Sequence, residues 1–232
     1  MIDIRCAVVA LMLAPGAAQA VGAGLDSYNA GDYAEALQDW RPLTEQGHAR
    51  VQYSLGVMYY DGQGVPQDHA EAVRWYRRAA EQGLDSAQYN LGVMYVTGRG
   101  VTQDYAEAVR WYRLAAKQRI ANVNAQFNLG NMYVTGRGVT QDYAEAVRWY
   151  RLAAKRGDPR AQLNLGIMHG TGQGVPQDDA TAHIWFNIAA ANGASNAAPA
   201  RDLAASRLTA AAIDEAQRRA RVCMKSGYRD CD

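Results

Sequence analysis

"MYVTGRGVTQDYAEAVRWYRLAAK" spans Met94–Lys117 and recurs, letter for letter, at Met132–Lys155. A fixed internal period is the signature of a stacked-repeat architecture, in which each unit is one supersecondary element. The Leu-Gly pairs extend the period beyond the identical copies. They fall at Leu55-Gly56, Leu91-Gly92, Leu129-Gly130 and Leu165-Gly166, in steps of 36, 38 and 36. Trp75, Trp111, Trp149 and Trp185 keep the same steps. Trp40 lies 35 residues before Trp75, and "GDYAEALQDWRPLTEQG" (Gly31–Gly47) reads as the second half of an earlier, degenerate unit.

Each unit reads as a pair of helices, A and B. In the second unit, "SAQYNLGVMY" (Ser86–Tyr95) is helix A, and Gly98 and Gly100 then break it. Asp104 opens helix B with Glu107 three residues on, the spacing of a capping box, and the pair recurs at Asp32/Glu35, Asp68/Glu71 and Asp142/Glu145. Asp178 is followed by Thr181 instead. Helix B sets Tyr105, Ala108, Val109, Tyr112, Ala115 and Ala116 on one face, widened by Trp111, with Glu107, Arg110, Arg113 and Lys117 opposite. Gly83, Gly157 and Gly193 are placed to end helix B, and Asp158-Pro159 to cap and restart helix A. Gly92 and Ala108 are small enough for the two helices to approach closely. One hairpin cannot bury both of its faces, so the units must stack. The expected fold is all-α: a right-handed solenoid superhelix of two-helix repeats with a concave and a convex side.

On this reading 21–47 is a degenerate N-terminal repeat, and the four full repeats are 48–83, 84–119, 120–157 and 158–193. Arg119 stands where other units have Gly, and Ile120–Asn124 lengthens that junction. The segment 194–232 is expected to cap the array with helices over Asp202–Leu208 and Thr209–Met224, Thr209 serving as N-cap.

The start of the chain has a different character. "MIDIRCAVVALMLAPGAAQA" carries Arg5, an apolar run Cys6–Ala14, a Pro15-Gly16 break and Ala18-Gln19-Ala20. That is the layout of a secretory leader cleaved after Ala20, and the run is far short of the roughly 20 apolar residues that span a bilayer. Residues 1–20 are therefore a signal peptide, and the mature chain is expected in the periplasm or outside the cell. Removal of Cys6 leaves Cys223 and Cys231, which in an oxidising compartment read as a disulfide. Two thiols without a neighbouring His or third Cys make a poor zinc site.

Charge and motifs exclude several functions. Lys and Arg number 24 against 23 Asp and Glu, no basic excess of the kind that marks a nucleic-acid binder. The loops Gly62-Gln-Gly64, Gly98-Arg-Gly100, Gly136-Arg-Gly138 and Gly172-Gln-Gly174 lack the strand, third glycine and Lys-Ser/Thr of a phosphate loop, so they read as turns. His48, His69, His169 and His183 have no metal-ligand spacing, and no G-x-S-x-G setting occurs. No catalytic residue, metal or cofactor is expected.

The pattern Ala87, Leu91-Gly92, Tyr95, Gly98, Gly100-Val101, Asp104, Ala108, Trp111-Tyr112 and Ala115-Ala116 resembles the Sel-1-like repeat, a relative of the tetratricopeptide repeat. The likeness covers Gly31–Gly193. It implies an exported, non-enzymatic scaffold that binds a protein or peptide, in envelope signalling or assembly. A cysteine-rich secreted subgroup implies the alternative of a β-lactamase-like hydrolase. Its members pair cysteines in each repeat, and this chain has none in its repeats. By register, the helix A side chains turned to the concave groove are Tyr53, Tyr89, Phe127 and Leu163, then Val57, Val93, Asn131 and Ile167. Exposed aromatics in such rows are suitable anchors for a partner. The chain is expected to act as a monomer, without nucleic acid and without a membrane span after leader removal.

Overall fold

A computed structural model of the chain describes residues 15–118, 122–229 and 231. The described residues form helices and turns, with no strand. In chain order the helices are α1 (Pro15–Ala30), α2 (Tyr33–Glu45), α3 (Ala49–Asp61), α4 (His69–Glu81), α5 (Asp85–Thr97), α6 (Tyr105–Ala116), α7 (Val123–Thr135), α8 (Tyr143–Ala154), α9 (Pro159–Thr171), α10 (Asp179–Ala191), α11 (Ala197–Ala205) and α12 (Ala210–Lys225). The chain divides into two compact units, one ending at Ala79 and the other beginning at Ala80. The expected leader, Met1–Ala20, lies outside the described residues up to Ala14, and the lengthened junction does so over 119–121.

Local rules build each hairpin. Helices α5, α7 and α9 each stop at a glycine in the left-handed region: Gly98 (φ 68°), Gly136 (φ 67°) and Gly172 (φ 72°). A β-carbon is disfavoured there, which is why glycine punctuates every copy. The loop glutamine then donates back to the helix it has left: Gln103 to Val96 O at 2.7 Å, Gln141 to Val134 O at 2.7 Å and Gln177 to Gly170 O at 3.1 Å. The glycine loops are thus fully committed as turns.

Helix B starts on the expected aspartate but not by the expected device. Asp104 accepts from Ala106 N (2.9 Å) and Glu107 N (3.0 Å), and Asp68, Asp142 and Asp178 cap in the same way. A capping box also needs the glutamate to accept from the cap's own N–H. That N–H is already used: Asp104 N donates to Tyr95 O at 3.0 Å, and Asp142 N to Tyr133 O at 3.0 Å. Released from that task, Glu107 pairs with Arg110 at 3.0 Å and Glu145 with Arg148, one turn along the helix. Asp32 forms no side-chain cap bond at all, so the device is absent from α2.

In the second unit α5 packs on α6, α7 on α8 and α9 on α10, while α6 against α7 and α8 against α9 join successive hairpins. Within each hairpin a glycine of helix A lies under an aromatic ring of helix B. A β-carbon on Gly92 would stand 2.6 Å from Cε1 of Tyr112; Gly130 faces Tyr150 and Gly166 faces Phe186 in the same way. Ala108, Ala115, Ala146 and Ala153 are fully buried around these contacts.

The first C-terminal helix is longer than expected. Helix α11 begins at Ala197, five residues before Asp202, because Pro199 falls in its first turn, where no helical N–H is required. Thr209 caps α12 through Ala212 N at 3.3 Å. Cys223 and Cys231 form a disulfide with Cα atoms 4.6 Å apart, buried in the core of the second unit. The bridge holds Tyr228 over Gly157, its hydroxyl donating to Asn192 Oδ1 at 3.0 Å.

In the first unit α1 pairs with α2, and the indole of Trp40 covers Gly24 as Tyr76 covers Gly56. This corrects the register. Trp40 occupies the tyrosine position, 36 residues before Tyr76, and Asp39 stands where later units have Trp75 and Trp111.

Gly92→Leu should force α5 and α6 apart at the cost of an overpacked core, roughly 1–3 kcal/mol or more. Thermal melts of the variant are expected to show a clear fall in Tm, and an unchanged Tm would contradict the close approach.

Candidate functional site

The row expected to meet a partner is carried by the A helices. In the second unit Tyr89 and Val93 stand on α5, Phe127 and Asn131 on α7, and Leu163 and Ile167 on α9; Tyr53 and Val57 stand on α3 in the first. Ile167 is exposed at 42%. The others are half-buried, for one recurring reason. Each A-helix aromatic lies against the B-helix ring that covers the glycine. Ring centroids are 5.8 Å apart for Tyr53–Tyr76, 5.8 Å for Tyr89–Tyr112 and 6.0 Å for Phe127–Tyr150. Leu163 packs in the same place beside Phe186. Each of these side chains therefore has one face in the core and one face available.

Asn131 is tied down more firmly. Tyr150 Oη donates to its Oδ1 at 2.7 Å, and Asn164 of α9 also hydrogen-bonds the Tyr150 hydroxyl. Tyr112 is bonded likewise by Asn128 of α7. The B-helix tyrosine therefore covers its own hairpin and reaches the next. Burial pushes the Tyr150 pKa up to about 12 and raises that of Tyr112, so both phenols stay protonated and serve as hydrogen-bonding groups. Val93, at the register of Asn131, offers no acceptor.

Arg160 closes the row between α7 and α9. Its guanidinium lies 4.3 Å from the Phe127 ring centroid, donates to Asn124 Oδ1 at 2.6 Å and pairs with Asp158 Oδ2 at 2.6 Å. A cation over a ring face is attracted by the ring quadrupole, which fixes the Phe127 side chain. Arg113, on the charged face of helix B, donates from Nη2 to Tyr133 Oη at 2.6 Å and ties α6 to α7.

Sequence reading missed a buried amide ladder. Gln88, Gln126 and Gln162 are each at most 3% exposed. Their Nε2 groups donate to the last-turn carbonyls of the preceding B helix: Ala80 O at 3.1 Å, Ala116 O at 3.4 Å and Ala154 O at 3.2 Å. Asn192 Nδ2 then donates to Gln162 Oε1 at 2.8 Å, joining the ladder to Tyr228. These glutamines, with Gln52, recur in steps of 36, 38 and 36, the signal that could have revealed them.

The histidines serve no common centre. The His69 ring lies 5.0 Å from that of Tyr60, tilted against it, and His183 is 2% exposed in α10. Among the described residues no three His, Cys, Asp or Glu side chains gather as they would around a metal ion. Also among them, no helix is long and apolar enough to cross a membrane.

A family profile described as Sel1 repeat matches residues 49–84, 85–119, 123–158 and 159–193. Among solved structures, the chain is 41% identical over 76% of its length to c5321, a protective antigen present in uropathogenic Escherichia coli strains and displaying an SLR fold, with a TM-score of 0.72. It spans 38% of that antigen's length. A Sel1 repeat protein from Oxalobacter formigenes is 36% identical, with coverage of 75% of this chain and 71% of that one and a TM-score of 0.71. A putative sel1 repeat protein from Klebsiella pneumoniae shares the fold at 21% identity, over 83% of this chain and 100% of that one, with a TM-score of 0.51. The paired helices pack as in these solenoids. No curated protein matches the chain.

Burial, and secondarily the charge of Arg201, lowers the pKa of His183, with Asp202 opposing. A group whose folded pKa is depressed favours the unfolded state on protonation. Its contribution is complete above the ordinary histidine value and is lost as pH falls through the depressed one. The loss of Tm between about pH 7.5 and about pH 5 should thus be smaller in His183→Gln than in the parent. Equal losses would contradict this assignment.

Proposed function

The chain belongs to the Sel1 repeat family, and from that premise we propose that it is an exported, non-catalytic scaffold binding a protein or peptide along its A-helix row. Sel1 repeats commonly serve protein–protein interaction. The observation that carries the reading is the row itself: Tyr89, Val93, Phe127, Leu163 and Ile167 recur at repeat spacing, each anchored on one side by the core and presenting the other. Rings and aliphatic groups that are already held lose little freedom on association, which is the property of a good anchor. Aspartates, loop glutamines and the buried glutamines of the repeat, by contrast, are taken up in caps, turns and the ladder.

Export is supported by the leader-like Met1–Ala20 and by the buried Cys223–Cys231 bridge, which suits an oxidising compartment. A structural relative being a protective antigen fits a protein met outside the cytoplasm.

Val93→Arg and Ile167→Arg change exposed or half-exposed atoms and leave the aromatic contacts in place. Recovery of a partner from the envelope fraction is expected to fall with these variants and to persist with Arg110→Glu on the opposite face. The reverse pattern would move the site off the A helices. Mass spectrometry of the protein from a periplasmic extract should give an N-terminus at Val21, and an intact Met1 in the mature protein would contradict export by leader cleavage.

A further inference from the structure

In the first unit α2 touches α3 over a far shorter stretch than α6 touches α7 in the second, although both pairs join a B helix to the next A helix. The two junctions differ in side-chain size. Where α6 offers the buried Ala115 and Ala116, α2 carries Leu43 and Thr44, and Leu43 is itself buried at 2% exposure. Leu43 packs with Val51 and Leu55 of α3, and its longer side chain fits a wider spacing than two alanines would. Pro42 adds to the effect, since it has no N–H to give the Gln38 carbonyl four residues back.

The consequence falls on a pair of residues that is closed elsewhere. Arg113 and Tyr133 meet across α6 and α7 in a 2.6 Å hydrogen bond. Their counterparts Arg41 and Tyr59 instead line a cleft of about 420 Å³ between α2, α3 and the loop that follows α3. The apolar surface of the cleft is Leu37, Leu55 and Val65, and the Thr44 and Gln38 side chains border it. Arg41 is exposed and forms no ion pair among the described residues. An exposed guanidinium and a phenol, lining one cleft with an aliphatic surface, match one ligand chemistry. A carboxylate accepts from the planar fork and from the hydroxyl, and a hydrocarbon body covers the leucines and valine. A polyphosphate is poorly matched, because the cleft brings a single cation and no glycine nest.

We propose that the cleft between α2 and α3 binds a small aliphatic monocarboxylate, its carboxylate held by Arg41 and Tyr59 and its hydrocarbon by Leu37, Leu55 and Val65. The site stands on one junction of the first unit and is independent of the A-helix row.

Isothermal titration of the full chain with octanoate tests this, with octanol as the uncharged control and a short peptide ending in a free-acid leucine as the rival source of the same chemistry. Octanoate is expected to bind and octanol to fail. Arg41→Gln, an exposed change, should weaken octanoate by about tenfold or more, the scale of a lost charge-assisted hydrogen bond. Val65→Trp, which fills the cleft from the loop, should abolish binding while a thermal melt confirms folding. The proposal is overturned if octanoate fails to bind, if it binds Arg41→Gln protein equally well, or if the peptide alone binds, which would assign the cleft to a polypeptide terminus.

Discussion

The structure depends on the contact between one glycine and one aromatic ring in every hairpin. Gly92 lies under Tyr112, Gly130 under Tyr150 and Gly166 under Phe186, too close for any β-carbon. This approach lets the ring act on both sides. Its face closes the hairpin, and in the tyrosines its hydroxyl continues to the next repeat, where Asn128 or Asn164 meets it. The A-helix aromatics Tyr89 and Phe127 then rest against the same ring. Core, repeat junction and the row proposed to meet a partner therefore all rest on one side chain.

That sharing explains why the duplicated 24-residue segment is architectural nearly throughout. Tyrosine, glycine, aspartate and alanine within it each have a structural partner. Its surface acids and bases pair with one another or reach the next hairpin, as Glu107 does with Arg110 and Arg113 with Tyr133. Differences between copies outside the segment have more freedom. Asn131 in place of Val93 is one, and it accepts from Tyr150 rather than facing outward alone.

Most of the hairpin was legible because its causes are local. A glycine with positive φ, an aspartate before a helix and a three-four apolar spacing each announce themselves in a few residues. What the sequence hid depended on distant groups. Whether Glu107 completes a capping box is decided by Tyr95 O, nine residues before Glu107's own cap, which takes the Asp104 N–H first. The register of Trp40 is settled by Gly24 beneath it, not by the spacing of indoles. The buried glutamines were visible as a period but looked polar, and only the carbonyls of the preceding helix explain them. The half-burial of the candidate row needed the B-helix rings in place before it could be seen.

The α1–α2 hairpin shows how the same rules make variation. With Leu43 and Thr44 where the alanines stand, the junction opens, and residues that clasp elsewhere line a cleft. The central claim, that the glycine is required by the ring above it, is tested most directly by a double-mutant cycle on Gly130 and Tyr150. Gly130→Ala should destabilise the parent protein markedly and cost little in a Tyr150→Leu background, leaving a large coupling energy. Equal costs in the two backgrounds would contradict the account.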